Sequence, residues 1–180
     1  MLAFLRIILK NSRYPAIMNM KNQEDSLERK TQVVKKSYKA MVIAKYIVNK
    51  CTREGQSVSN LQLQKILFFA QGEFYKNYGR PLFQDDIQAW QYGPVVPDVY
   101  NKFCSNGASP IYDLFDVDLD PDTASKLDPI IENYRMRDIW ELVALSHAEG
   151  GPWAQVYTGL KDVTIPKNVI REYFLTSDRT

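Results

Sequence analysis

The chain has 180 residues, of which 45% are hydrophobic and 12% aromatic, a composition typical of one globular domain with a tail. Its two cysteines, Cys51 and Cys104, are too few for a disulfide scaffold, so we expect free thiols in a reducing cytoplasm. The longest apolar stretch, residues 2–9, contains Arg6, whereas a membrane-spanning helix needs about 20 residues. These features exclude a disulfide-rich secreted class and predict neither a membrane span nor a signal peptide.

Charge divides the chain into two parts of opposite sign. Residues 1–37 hold eight Lys and Arg against three Asp and Glu, a net +5, whereas residues 38–180 hold fifteen against eighteen, a net −3. We therefore predict a basic, flexible leader over 1–37, a folded domain over 38–176 and a tail over 177–180. Leu2–Arg13 could instead form a short basic amphipathic helix. The acidic domain argues against a reader of nucleic acid, which needs clustered cations.

The first two elements of the folded domain are predicted to be helices. Apolar residues at helical spacing predict a helix over 38–53, and Gly55 follows its end. A second helix over 60–78 is the clearest element, because Ser59 can cap its start and Gly79 can end it. Its apolar stripe has spacings of three and four: Leu63, Leu67, Ala70, Phe74 and Tyr78.

Turn-forming residues organise the middle of the chain. A strand over 87–92 leads to a sharp corner at Gly93-Pro94, because glycine permits a turn and proline biases its predecessor away from the helix. The remaining predicted elements are a helix over 96–105, a short strand over 110–112, a loop over 113–120, helices over 121–134 and 137–147, and helices starting at 152 and 166. The predicted fold class is α+β, mostly α: a compact multi-helix domain with a small β-sheet or hairpin near Trp90.

Three runs of the chain carry a family resemblance. They are Leu61–Gly72, which ends in Phe-Phe-Ala-Gln-Gly, Ile87–Pro97, which contains Trp-Gln-Tyr-Gly-Pro-Val-Val-Pro, and Leu145–Trp153, which contains Ser-His and Pro-Trp. Together they resemble the Panacea domain of SocA-like antitoxins, which also occurs in phage-associated proteins. The resemblance covers about residues 38–174, and Ser146 and the Gly-Gly pair before Pro-Trp depart slightly from the family pattern.

The resemblance implies a non-catalytic bacterial or phage protein of the cytoplasm that binds and neutralises a cognate protein toxin, usually encoded beside it. One family member is an adaptor that presents its toxin to a protease, so a protease or chaperone is a second partner to consider. No cofactor, metal or membrane partner is implied, and nucleic acid is not expected to bind the folded domain. The partner-binding residues are predicted to be Lys65, Trp90, Tyr92, His147 and Trp153.

Each of these five residues also has an ordinary structural interpretation. Lys65 could lie on a solvated helix face, or its stem could follow the core while its ammonium reaches an acidic partner. Trp90 could pack in the core, whereas Tyr92 and Trp153 could equally anchor an interface. His147 could simply end a helix and interact with the carbonyls there.

Spacing disfavours a metal site. The alternating aspartates over 116–122 suggest a calcium loop, but the sixth and twelfth positions counted from Asp116 are Pro121 and Leu127, not glycine and glutamate. A structural zinc site needs four closely spaced Cys or His ligands, and His147 is the single histidine of the chain. We therefore expect an acidic solvated loop that leads to a helix cap.

Two other functions remain open at the level of sequence. Helices 38–53 and 60–78 could form the helix-turn-helix of a DNA-binding transcriptional regulator of prophage or toxin–antitoxin genes. The second helix, however, offers only Lys65 and Lys76 as cations, which is typical of a core helix. A small enzyme that uses His147 with an acid or a thiol is the other hypothesis, with no reaction to assign to it.

Overall fold

The structure is a computed structural model, and it describes residues 37–160 and 163–176. The predicted α+β, mostly α class is confirmed, because the described residues form seven α-helices, one 3-10 turn and three short strands. In chain order these are α1 (Ala40–Arg53), α2 (Asn60–Tyr78), β1 (Ile87–Trp90), β2 (Gly93–Val95), α3 (Pro97–Phe103), the 3-10 turn (Cys104–Asn106), α4 (Pro121–Arg135), α5 (Ile139–Ser146), α6 (Pro152–Val156), β3 (Thr164–Ile165) and α7 (Lys167–Thr176). The helix ends agree with the predicted ones to within two residues.

Helix α2 lies at the centre of the core. The Ser59 hydroxyl caps its start by accepting a hydrogen bond from the backbone N–H of Gln62 at 3.3 Å, and Gly79 ends it with φ 65°. The helix is buried on most of its surface and packs against α1, α4, α5, α7 and β2. Burial of each large apolar side chain stabilises the fold by roughly 1.5–3 kcal/mol. Helix α2 is therefore a rigid support for the elements around it.

The small sheet has the strand order β2–β1–β3, and both pairings are antiparallel. Strand β1 has the alternation of a half-buried strand: Ile87 and Ala89 are buried, whereas Gln88 and Trp90 are half-buried. The strand ends at Trp90, which pairs directly with Gly93 of β2. The predicted corner is thus a hairpin turn at residues 91–92, just before the Gly-Pro pair, and that turn exposes Tyr92.

The second predicted strand, over 110–112, is wrong. Pro110 makes a single bridge to Ser59, and the chain then continues as a loop in which Tyr112 is exposed. Proline has no N–H to donate to a neighbouring strand, so the pairing does not propagate. Strand β3 is absent from the predicted elements, because two residues are too few to show a period of two.

Several predictions concern residues that the structure does not describe. Residues 1–36 of the predicted leader, including its amphipathic-helix alternative, and the tail over 177–180 lie outside the described residues, and the domain limits stay predictions. Within the described ranges, no helix combines the length and the apolar character needed to cross a membrane. No group of three or more His, Cys, Asp or Glu side chains in those ranges could hold a metal ion.

Candidate partner-binding site

Two polar side chains of α2 satisfy the outer edge of strand β2. Lys65 Nζ donates to the Pro94 carbonyl at 3.1 Å, and Gln64 Oε1 accepts from the backbone N–H of Val96 at 2.9 Å. Both side chains are almost completely buried. Since Pro94 has no N–H, a further strand could not pair fully with this edge, and the two side chains take the place of that strand.

Residue 93 must be glycine, because three polar atoms crowd the position that a Cβ would occupy. Its φ is 103°, which side chains rarely permit. A Cβ built there would lie 2.6 Å from Lys65 Nζ, 2.6 Å from Ser146 Oγ and 3.2 Å from His147 Nε2. The three sequence runs therefore meet at one point, where α2, the hairpin and the end of α5 come together.

A stack of aromatic rings connects His147, beside Gly93, to the end of β1. The rings of His147 and Trp153 lie nearly parallel with centroids 3.7 Å apart, and Trp153 stacks in turn on Tyr157 at 4.4 Å. The indole Nε1–H of Trp153 donates to the Trp90 carbonyl at 2.8 Å, and Trp90 packs edge-on against Tyr100. Helix α6 thereby fixes the end of β1, where the hairpin turn begins.

Burial disfavours the charged forms of both titratable groups around Gly93. Burial lowers the pKa of the Lys65 ammonium from 10.5 to about 7. Burial, and then the nearby charge of Lys65, lowers the pKa of His147 below its ordinary value. His147 Nε2 is a buried atom without a hydrogen-bond partner among the described residues. A proton on one of these groups therefore disfavours a proton on the other.

A pocket of about 310 Å³ opens beside the hairpin. Among the described residues, its lining includes four aromatic side chains and no charged one. The lining residues are Leu61, Gln64, Trp90, Gln91, Tyr92, Val95, Tyr100, Tyr157, Gly159 and Leu160. Tyr92, which is 52% exposed, packs edge-on against Trp140, which is 61% exposed. We call the pocket lining together with Trp140 the aromatic face.

The structure brings the five predicted partner-binding residues into one connected region. Trp90 and Tyr92 line the pocket, whereas His147 and Trp153 support the hairpin through the stack. The solvated-face interpretation of Lys65 is wrong, because its side chain is fully buried and its ammonium donates to a backbone carbonyl. Contact of this ammonium with an acidic partner stays a prediction. Which of the five contact a partner stays a prediction.

Sequence reasoning missed Gln64, Trp140 and Tyr157. A signal for Gln64 was available, because an amide at a buried helical position requires a specific hydrogen-bond partner. Trp140 and Tyr157 lie outside the three runs. The local pattern does not separate an exposed aromatic residue from a buried one, so no signal pointed to them.

The structure gives little support to the alternative functions. Lys65, one of the two cations of the proposed DNA-reading helix, is fully buried in α2. Burial raises the pKa of the Cys51 thiol, which disfavours the nucleophilic thiolate.

The acidic loop leads to a helix cap, as predicted. Asp120 accepts a hydrogen bond from the backbone N–H of Thr123 at 2.9 Å.

Replacement of Gln64 by methionine tests the support of β2. Gln64→Met should lower the free energy of unfolding by about 1–3 kcal/mol, because it leaves the buried N–H of Val96 without an acceptor. Urea denaturation followed by circular dichroism measures the change. The matched control is Gln56→Met at an exposed position, which should stay within about 0.5 kcal/mol of the native protein. An equal effect of the two substitutions would contradict a bracing role for Gln64.

Comparisons with known proteins cover the same region. The family model described as "Antitoxin SocA-like, Panacea domain" matches residues 63–154, which include the meeting point at Gly93 and the aromatic stack as far as Trp153. Antitoxin SocA of Caulobacter vibrioides (strain NA1000 / CB15N) is 37% identical over 139 residues, which cover 68% of this chain and 72% of that protein. No solved structure matches the chain significantly.

Proposed function

The chain belongs to the SocA-like antitoxin (Panacea domain) family, and on that premise we propose that it is an antitoxin that neutralises a cognate protein toxin by direct binding. Family membership supports an antitoxin role, and neutralisation by contact requires neither a cofactor nor catalysis. The observation that carries the proposal is the meeting of the three sequence runs at Gly93, directly beside the exposed aromatic face.

The aromatic face has the chemistry of a protein interface. Trp and Tyr are enriched at interfaces and dominate binding energies there. Tyr92 and Trp140 are more than half exposed in the free protein, so a partner that covers them gains the transfer of both rings out of water. The hairpin is held by Lys65 and Trp153, which lowers the entropic cost of ordering it on binding. A stable interface typically buries about 1,600 Å² in total, so further parts of the domain must contribute.

Neutralisation could end in masking of the toxin or in its delivery to a protease or chaperone. A complex must form first in either route, so the aromatic face serves both. The abundance of the toxin in cells that contain the antitoxin separates the two routes. Restored growth with an unchanged amount of toxin indicates masking, whereas a protease-dependent loss of toxin indicates an adaptor.

Growth rescue and co-purification test the proposal. Expression of the toxic product of the adjacent gene should arrest growth, and co-expression of this chain should restore it. The double variant Tyr92→Ala/Trp140→Ala should weaken binding at least about 100-fold, as expected when two interface aromatics are removed. Tyr112→Ala is the matched control, because Tyr112 is 69% exposed and does not belong to the aromatic face.

Two results would count against this proposal in different ways. Failure of the native protein to bind or rescue any neighbouring gene product would contradict the antitoxin function itself. Equal losses in the double variant and in Tyr112→Ala would move the interface away from the aromatic face.

A further inference from the structure

On the basis of the proposed antitoxin function, we infer that the pocket of the aromatic face receives one uncharged aromatic side chain from a segment of the toxin. The inference names the chemistry of the residue by which the toxin would be anchored. It depends on the charge, shape and rigidity of the pocket, which are independent of the identity of the toxin.

The occupant of the pocket must be uncharged. Every described side chain that lines the pocket is neutral. A carboxylate or an ammonium placed there would lose its hydration without gaining an opposite charge. Ion pairs of the described residues lie outside the lining, for example between Arg135 and Glu132 and between Lys167 and Asp86. A neutral pocket on a charged protein selects a neutral side chain.

The walls of the pocket favour an aromatic ring. Trp90 and Tyr100 meet edge-on with centroids 4.9 Å apart, and Tyr92 and Tyr157 complete the aromatic lining. Aromatic rings attract one another in edge-on or offset arrangements at about 4.5–7 Å. The volume lies at the lower end of the range of ligand pockets, which suits one ring better than an extended cofactor. The exposed Gln91 amide can bond to a phenol or an indole N–H at the rim.

The pocket is already formed in the free protein. The hydrogen bonds from Lys65 to Pro94 and from Val96 to Gln64 fix β2, and the Trp153 indole fixes the end of β1. An isolated ring should therefore enter without any ordering of the walls. Small aromatic probes can replace the unidentified toxin segment in a first test.

A second copy of this chain fits the pocket less well than a toxin does. Tyr112 is the most exposed aromatic residue among the described ones, and it would be the natural candidate to enter a neighbouring copy. Asp113 follows it directly, and Asp116 and Asp118 lie further along the same loop. Docking of this loop would bring carboxylates against a neutral pocket, which disfavours self-association through it.

Titration with blocked amino acids followed by ¹⁵N–¹H NMR tests the inference. N-acetyl amides of tryptophan, tyrosine and phenylalanine should shift the backbone signals of Leu61, Tyr100 and Gly159, with dissociation constants on the order of 1 mM. The N-acetyl amides of lysine and glutamate should leave these signals unchanged. Leu160→Asp should weaken binding of the aromatic probes at least about fivefold by placing a charge in the lining. The matched control is Leu114→Asp, because Leu114 is also exposed but lies outside the pocket lining.

Three results would overturn the inference. They are no shifts with the aromatic probes, equal shifts with the charged probes, and equal affinities of the two aspartate variants. A dimer in light scattering that Leu160→Asp dissolves would assign the pocket to a second copy instead of a toxin. Growth rescue separates this inference from the proposed function: rescue without probe binding rejects only the pocket assignment, whereas failure of rescue with every neighbouring gene product rejects the antitoxin function.

Discussion

Gly93→Ala is expected to lower the free energy of unfolding by roughly 3–5 kcal/mol, because it adds backbone strain and crowding at the same position. The backbone at residue 93 has φ 103°, so the alanine is strained before any contact is considered. Its Cβ would then approach Lys65 Nζ and Ser146 Oγ to 2.6 Å. Both atoms are buried and held by hydrogen bonds to backbone carbonyls, so neither can move away without losing its partner. Urea denaturation of the two proteins measures the difference.

Gly79→Ala measures the cost of a left-handed alanine without crowding. Gly79 also has a positive φ of 65°, but a Cβ built there meets nothing within 4 Å. We expect a cost of about 1–2 kcal/mol for this control, which is the price of a left-handed alanine alone. The double variant Gly93→Ala/Ser146→Ala should recover part of the loss by removing one of the crowding atoms. Equal costs at residues 93 and 79 would show that the three polar atoms can move aside, and the tight meeting point would then be wrong.

The helices were predictable from the sequence because their signals are local. Helix α2 begins after the Ser59 cap and ends before Gly79, as predicted, since capping and left-handed glycine act within one turn of the residues concerned. The same holds for α4, which follows the cap at Asp120. The strand over 110–112 was predicted wrongly because the environment of these residues depends on contacts that are distant in sequence. Its apolar residue Ile111 is buried by packing against the core and not by pairing into a sheet.

The site was predictable only in part, because its geometry depends on contacts that are distant in sequence. The three runs of the family resemblance lie together in the structure. The burial of Lys65, however, accompanies its hydrogen bond to Pro94, which lies 29 residues further along the chain. A lysine on an amphipathic helix ordinarily lies in water, so periodicity assigns it to the wrong face. Trp140 became part of the aromatic face only through its contact with Tyr92. No periodicity within either segment encodes that contact.

The Lys65→Met variant should be more stable than the native protein below pH 7 and less stable near pH 10. Folding lowers the pKa of this ammonium from 10.5 to about 7, so between those values the unfolded chain holds a proton that the native protein has released. Stability therefore rises with pH across that window, and the full cost of the buried charge is present below pH 7. Methionine carries no such cost and has a similar length.

The sign of the Lys65→Met effect at each pH depends on two free energies: the cost of the buried charge and the loss of the hydrogen bond to Pro94. Each unit of pKa shift corresponds to about 1.4 kcal/mol, so the shift from 10.5 to about 7 corresponds to a cost of about 5 kcal/mol at low pH. Loss of the hydrogen bond to the Pro94 carbonyl costs about 1–3 kcal/mol at every pH. We therefore expect a net gain of about 2–4 kcal/mol at pH 6 and a net loss of up to about 2 kcal/mol near pH 10. Urea denaturation across this pH range measures the crossover, and Lys39→Met, at an exposed position, should show none.

Toxin binding by the same variant distinguishes a supporting lysine from a contacting one. Lys65 has no exposed surface, so under the proposed function it acts by holding the hairpin beneath Trp90 and Tyr92. Lys65→Met should then change toxin affinity by less than about tenfold, far less than removal of Tyr92 and Trp140. A larger loss in a variant that keeps its fold would mean that the ammonium leaves the core to meet a partner. The predicted direct contact of Lys65 with a partner would then be the better interpretation. The conformation in which Lys65 bonds to Pro94 would be one of two states of the protein.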